Sequence, residues 1–242
     1  MPDLAFDHPR LAALYDVFDA DRRDLDAYAA IARELGARSV LDVGCGTGTF
    51  ALLLAREGFE VTALDPARAS VDVARAKPGA ERVEWIVGDA TALPELEVDL
   101  ATMTGNVAQA IAEPDAWERT LSIVHKALRP DGHLVFETRD PGVRGWEEWT
   151  RAQTRLGVEV DGVGEVEQWT DLTEVALPLV RFRTTFVFRA SGEVLTSDST
   201  LRFRGRDEVE ADLRAFGYVV DEVRDAPDRP GRELVFFARL GL

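Results

Sequence analysis

Residues Ser39–Leu54, SVLDVGCGTGTFALLL, limit what this chain can fold into more than any other stretch. Ser39–Val43 is an apolar run of strand length that stops at a glycine cluster. In Gly44-Cys45-Gly46-Thr47-Gly48 three of five residues lack a Cβ, so the backbone can take φ > 0 and come close to a ligand. Phe50–Arg56 reads as a helix, and Gly58 stops it. Strand, glycine loop and helix in that order open a nucleotide-binding α/β unit. The helix N-terminus adds unpaired N–H groups beside the loop.

The spacing is more telling than the glycines. A dinucleotide-binding loop reads G-x-G-x-x-G, with an acid roughly 20 residues further on. Here the third glycine comes one residue early, and Thr49 stands after it. Asp42 lies two residues before the first glycine, and Asp65 closes the next apolar strand, Glu60–Leu64. An acid ahead of the loop suits a ligand that brings an ammonium group to the glycines; it would repel a pyrophosphate. Val40–Gly48 resembles, at every position, the first motif of the class I S-adenosylmethionine-dependent methyltransferases, (V/L)-L-D-x-G-C-G-x-G. The resemblance implies S-adenosyl-L-methionine as cofactor. It assigns Asp42, Gly44, Cys45, Gly46 and Gly48 to the loop that holds it, with Asp65 and Pro66 after the second strand. Asp89 and Ala90 follow the third strand, the acid facing the adenine, and Thr104 follows the fourth.

Formal charge is −16, which argues against a nucleic-acid partner because phosphate backbones are bound by basic surfaces. Cys45 is the only cysteine, so no intrachain disulfide can form. Lys77 and Lys126 are the only lysines. No signal peptide or apolar span of about 20 residues is visible, and the expectation is a soluble, cytoplasmic protein with no membrane partner.

Ahead of the loop, Tyr28, Ile31, Ala32 and Leu35 share helical spacing and Gly36 supplies the stop. Residues 1–36 are expected to form a helical cover. The family resemblance implies an aromatic or basic side chain reaching the methionine end of the cofactor, with Tyr15 and Arg23 as candidates. Past Asp65, Pro66 is placed to open a helix, and Lys77-Pro78-Gly79 breaks it. Val83–Val87 and Val98–Met103 read as strands three and four. The loop after strand four, Met103–Gln109, lacks the N/D-P-P-Y/F/W pattern of amino-methylating nucleic-acid enzymes; Asn106 and Gln109 are either polar groups at the expected pocket mouth or caps of the next turn. Glu113-Pro114 begins a helix with Trp117, Leu121, Val124 and Leu128 on one face, and Arg129–Gly132 reads as a turn. His133–Thr138 is strand five. Glu137, Thr138, Arg139 and Asp140 stand at its carboxyl end, where open α/β sheets bind ligands.

Residues 141–206 leave the α/β alternation. Val180, Phe182, Thr184, Phe186 and Phe188 occupy one face of a strand, and Arg181, Arg183 and Arg189 the other. Ser191-Gly192 turns the chain back, and Glu165–Leu172 is a further strand. This predicts an antiparallel insertion over the carboxyl edge, similar to the lid of small-molecule methyltransferases. Trp146, Trp149 and Trp169 either line a substrate cavity or build the lid's own core. The arginines read as a solvated face or a subunit contact, which allows a homodimer through the lid. Asp207 is placed to cap a helix carrying Val209, Leu213 and Phe216, and Val219–Val223 and Leu234–Ala238 are the last strands.

The fold expected is α/β: a doubly wound, mostly parallel seven-stranded sheet from residues 37–140 and 207–242, with the antiparallel insertion after strand five. The resemblance covers Val40–Thr138 and Asp207–Leu240, and it implies methyl transfer to the N or O of a small-molecule acceptor. Asn106, Glu137, Arg139 and Tyr15 are the candidates for catalysis. No Ser/His/Asp set or metal-ligand cluster stands out. A nicotinamide-dependent oxidoreductase and a non-catalytic S-adenosylmethionine-binding protein remain as alternatives.

Overall fold

The computed structural model describes residues 2–241. Met1 and Leu242, the ends of the first and last predicted segments, lie outside the described residues. The strands are β1 (Ser39–Val43), β2 (Glu60–Asp65), β3 (Val83–Val87), β4 (Val98–Met103), β5 (Leu128–Arg139), β6 (Leu156–Val160), β7 (Gly164–Ala176), β8 (Leu179–Phe188), β9 (Glu193–Arg202), β10 (Tyr218–Asp225) and β11 (Glu233–Leu240). Seven form one sheet in the order β10-β11-β5-β4-β1-β2-β3. Its strands run parallel except β11, which is antiparallel to both neighbours.

Apolar residues on both faces explain the parallel centre: all six residues of β4 are buried, as a strand covered by helices on both sides requires. Alternation along the strands sorts the core into two layers. Val40, Leu100, Val135 and Val235 meet the helices Asp24–Glu34 and Thr49–Glu57 through Tyr28, Phe50 and Leu54. Leu41, Ala101, Phe136 and Phe236 meet the helices Pro114–Ala127 and Arg206–Ala215 through Trp117, Leu121 and Leu213. The Phe136 and Phe236 rings stack at 5.3 Å across β5 and β11, a pair that adds about 0.5–1.5 kcal/mol beyond its burial.

The insertion forms a four-stranded antiparallel sheet, β6-β7-β8-β9. Val180, Phe186 and Phe188 face inward and are buried. The arginine stripe on the other face is spent in ion pairs. Arg181 pairs with Glu174 and Arg183 with Asp198, each its partner in strand register. Arg189 reaches Glu167 at 2.5 Å.

The first turns of the chain lie across both sheets. The short helices Leu4–Asp7, Pro9–Ala12 and Tyr15–Phe18 place Leu11 and Leu14 against Val166, Phe186 and Phe188 of the lid. The Ala5 N–H donates to Ser197 Oγ at 2.8 Å, and Ser70 Oγ donates to the Phe6 carbonyl at 2.7 Å.

Three local expectations are corrected. Arg129–Gly132 is a bulge inside β5 rather than a separate turn: Leu128 already pairs with Val98, His133 with Leu100, and Asp131 between them is left-handed at φ 64°. The helix after β2 begins at Arg68, so Pro66 precedes it and does not open it. Gly205 caps the helix Arg206–Ala215, and Asp207 already lies in its first turn. There its charge complements the helix dipole without satisfying an end N–H.

Candidate functional site

The glycine loop leaves β1 at the carboxyl edge of the parallel strands. Gly44, Gly46 and Gly48 are all left-handed, at φ 76°, 53° and 77°, yet their surroundings differ. A Cβ on Gly44 would stand 2.4 Å from Val107 Cγ2, and one on Gly48 2.5 Å from the Trp85 ring. Packing demands these two. A Cβ on Gly46 would meet nothing within 4 Å, so Gly46 is the one that leaves space above the backbone. The N–H groups of Gly44 and Cys45 donate to the Leu64 carbonyl at 2.7 and 3.0 Å, which ties the loop to the end of β2. The Cys45 thiol is buried, and burial pushes its pKa well up.

Asp65 clamps the same loop. Its Oδ2 accepts the Gly46 N–H at 2.8 Å and its Oδ1 the Ala67 N–H at 2.7 Å. Burial nonetheless raises its pKa. A carboxylate offers about four acceptor sites, so two stay open for hydroxyl donors. Asp42 is buried beneath. Thr102 Oγ1 donates to its Oδ1 at 3.2 Å, its Oδ2 has no partner, and burial pushes its pKa up to about 7. Asp89 turns back on its own chain. Its Oδ1 accepts from the Thr91 N–H at 2.9 Å and the Thr91 hydroxyl at 2.5 Å. It caps the turn Ala90–Ala92, and the Thr91 hydroxyl chiefly holds its pKa low. Ala90 and Thr104 are buried beside their strand ends.

A polar network closes the ends of β4 and β5. Asn106 is left-handed, at φ 62°, and its N–H donates to Glu137 Oε1 at 2.8 Å. Its side-chain nitrogen lies 3.3 Å from both Glu233 oxygens. Arg139 Nη1 donates to Gln109 Oε1 at 3.1 Å, and Arg139 Nε is 3.5 Å from Glu233 Oε1. Arg229 Nη1 reaches the same oxygen at 2.8 Å. Burial pushes the Glu137 pKa up to about 7. The Tyr28 hydroxyl neighbours this carboxyl without closing a hydrogen bond of good geometry, and Glu137 Oε2 has no partner. Buried polar groups normally find partners. Among the described residues, Asp42 Oδ2, Asn106 Oδ1, Gln109 Nε2 and Glu137 Oε2 are four of six that do not, and all four belong to residues at this edge of the sheet.

A cavity of about 520 Å³ opens against the network, lined by Tyr15, Arg22, Asn106, Arg139 and Arg229 among others. A larger one of about 640 Å³ lies between the lid and Ala110–Ala116 and touches none of the predicted site residues. We take the smaller as the candidate site, because Asn106, which carries one of the four unpartnered groups, lines it together with Arg139. Tyr15 lines it, with burial raising the phenol's pKa. Arg23 sits on its rim, 85% exposed and paired with Asp21 at 2.6 Å. The tryptophans do not line this cavity. Trp146 is buried against Phe203 at 4.6 Å, Trp149 packs on Phe182, and Trp169 carries Arg151 over its ring. They build the lid, whose sheet is too small to close a core without large rings.

The N-terminal turns reach the glycine loop through Asp16. Its carboxylate accepts from Thr47 Oγ1 at 2.6 Å and Thr49 Oγ1 at 3.2 Å, and Lys77 Nζ pairs with it at 2.5 Å. Sequence reasoning missed Asp16, Tyr28, Arg229 and Glu233. Only Glu233 had a readable signal: an antiparallel last strand brings its first residue opposite Arg139, at the carboxyl edge.

A doubly wound sheet with an open glycine at the first strand's carboxyl end defines a nucleotide-cofactor-binding protein of the Rossmann-like type. Residues 40–132 match the family model described as a methyltransferase domain. The malonyl-[acyl-carrier protein] O-methyltransferase of Serratia marcescens is 29% identical over 191 residues, 72% of this chain and 69% of that protein. The chain spans about half the length, or less, of most curated relatives it matches. A crystal structure of an S-adenosylmethionine-dependent methyltransferase from Clostridium acetobutylicum superposes with TM-score 0.76 at 17% identity, covering 97% of this chain and 99% of that one. A sugar N-methyltransferase from Streptoalloteichus sp. superposes with TM-score 0.74 at 21% identity, covering 94% and 92%. Residues 40–132 thus match a methyltransferase domain, and the chain as a whole has the fold of solved S-adenosylmethionine-dependent methyltransferases. Among the described residues, no helix is long and apolar enough to cross a membrane, and no group of three or more His, Cys, Asp or Glu is placed to hold a metal ion.

Proposed function

We propose that the protein transfers a methyl group from S-adenosylmethionine to the nitrogen of a small-molecule amine. The residues fit that cofactor: Gly46 leaves open space above the loop, Asp65 keeps free acceptor sites for ribose hydroxyls, and Asp42 offers an unpartnered buried oxygen. Bound there, the cofactor supplies a methyl group that is already electrophilic. What remains for the chain is to orient an acceptor, exclude water and take up a proton.

The observation that carries the reading is the unpartnered Asn106 Oδ1 in a residue that lines the 520 Å³ cavity. Its amide nitrogen faces Glu233, which fixes the oxygen as the free end, and an oxygen there accepts an N–H. Glu137 lies one hydrogen bond behind, and at a pKa of about 7 its Oε2 can hold the proton that leaves the acceptor. Arg139 and Tyr15 shape the walls. A cavity of this size suits a small molecule, and the charge of −16 disfavours a polyanion. The structural likeness to a sugar N-methyltransferase is in keeping with an amine. We infer no nucleic-acid partner and a cytoplasmic location.

The test is a screen of small amines, amino sugars and phenols for formation of S-adenosylhomocysteine. Turnover with amines that is lost in Asn106→Ala, while S-adenosylhomocysteine still binds, supports the proposal. Turnover with phenols alone, or with tRNA, DNA or a protein alone, overturns it.

A further inference from the structure

Arg204 follows the lid's last strand and is only 3% exposed. Among the described residues it makes no ion pair. Its Nη1 donates to the Ala108 carbonyl at 2.8 Å and its Nη2 to the Ile111 carbonyl at 2.9 Å, with the guanidinium 4.6 Å above the Trp117 ring. A buried cation with no ion-pair partner in contact is costly; despite the nearby Glu208 and Asp212 carboxylates, burial pushes its pKa down to about 10. At neutral pH the group is still charged.

What it holds is specific. Ala108 and Ile111 belong to the turn that follows Asn106 and includes the four-residue helix Val107–Ala110. So short a helix has no stability of its own, and its last carbonyls lack helical partners. The planar fork of Arg204 takes two of them at once on two separate nitrogens, a fixed geometry that a lysine's single ammonium does not offer. The same turn carries Gln109, which receives Arg139, and Val107, which packs against Gly44. On the other side, Phe203 is in the lid core, with Trp146 at 4.6 Å and its N–H on the Pro178 carbonyl at 2.8 Å.

We propose that Arg204 is a positioning residue: anchored by the lid, it sets the turn Asn106–Ile111 and so aims Asn106 and Gln109 at the acceptor end of the site. Resting on the methyltransferase reading, this makes the lid part of the machinery that orients the acceptor, and not only its roof.

The experiment compares wild type with Arg204→Met, Arg204→Lys and, as a lid-packing control, Phe203→Leu. The Asn106 amide signal is followed by NMR over about pH 5 to 9, where its hydrogen bond to Glu137 makes it report that carboxyl's ionisation. Glu137→Gln confirms the source of the signal. The titration amplitude is expected to fall by about half or more in Arg204→Met, to survive partly in Arg204→Lys, and to persist in Phe203→Leu at a similar loss of Tm. S-adenosylhomocysteine affinity should stay within about threefold throughout, because Gly46 and Asp65 are hydrogen-bonded to each other, and Asp65 to Ala67, not to this turn. Full amplitude in Arg204→Met, with only a lower Tm, overturns the proposal, as does a wild-type Asn106 signal that ignores pH. If Arg204→Met does not fold, Arg204→Lys decides alone, and undiminished amplitude there refutes the need for the fork. Failure of wild type to bind S-adenosylhomocysteine counts against the methyltransferase reading instead.

Discussion

Replacing Glu137 by glutamine should make the ligand-free protein more stable at pH 8 while abolishing methyl transfer. Glutamine keeps an oxygen for the Asn106 N–H and places an amide nitrogen at the unpartnered Oε2, beside the Tyr28 hydroxyl. The gain comes from the charge removed. Glu137 ionises at about 7 in the folded chain, against an ordinary value of 4.5. Keeping it ionised well above pH 7 therefore costs at most about 3 kcal/mol of folding free energy. Because the folded pKa is the higher one, the cost is absent below about pH 4.5, grows between 4.5 and 7, and is complete above. At 242 residues, each kcal/mol moves Tm by about 2–4 °C, so the variant should melt up to about 6–12 °C higher at pH 8. At pH 5 the two proteins should nearly coincide. Asp42, raised to about 7 by burial, remains in both, so the variant's stability still declines with pH, only less steeply. The assay is thermal unfolding of both proteins, without ligand, at the two pH values. An equal gap at both, or a variant that melts lower at pH 8, would refute the argument from burial.

The glycine loop offers a contrast between neighbours. Gly46→Ala should fold and lose S-adenosylhomocysteine affinity by calorimetry, since its Cβ enters open space, whereas Gly44→Ala should lower Tm, since its Cβ would stand 2.4 Å from Val107. Asp65→Ala should weaken binding at least about tenfold, the value of one hydrogen bond to a charged group; unchanged affinity removes the ribose assignment. Arg139→Ala should cut turnover while affinity stays within about threefold, and an equal loss in both places Arg139 at the cofactor instead.

What could be read from sequence is what rests on a periodic pattern. The apolar runs of β1, β2 and β4 and the helical spacing of Trp117, Leu121 and Val124 are local patterns, and local patterns are visible in a linear string. The alternating Val180–Phe188 segment gave away the antiparallel insertion for the same reason. Aromatic content is a poorer guide: a tryptophan in a small sheet fills a core or lines a cavity with equal ease, and here Trp146 fills the core. Asp89 shows a second limit, because one carboxylate suits both a ligand and its own turn. The network at Asn106 was half legible. Glu137 and Arg139 were found from their place at a strand end, while Glu233, nearly a hundred residues away, meets them only through β-sheet register. Asp16 and Arg204 act through chain crossings that no local rule encodes.

The anchoring of the first turns has a kinetic consequence. Leu11 and Leu14 are buried against the lid's Val166, Phe186 and Phe188, and Asp16 is held at the same time by Thr47, Thr49 and Lys77. Peeling this segment back returns two leucines to water, about 1.5–3 kcal/mol each. Open molecules are then about one in a hundred or fewer. Hydrogen exchange at the backbone amides of Leu11 and Leu14 should therefore be slowed about a hundredfold or more.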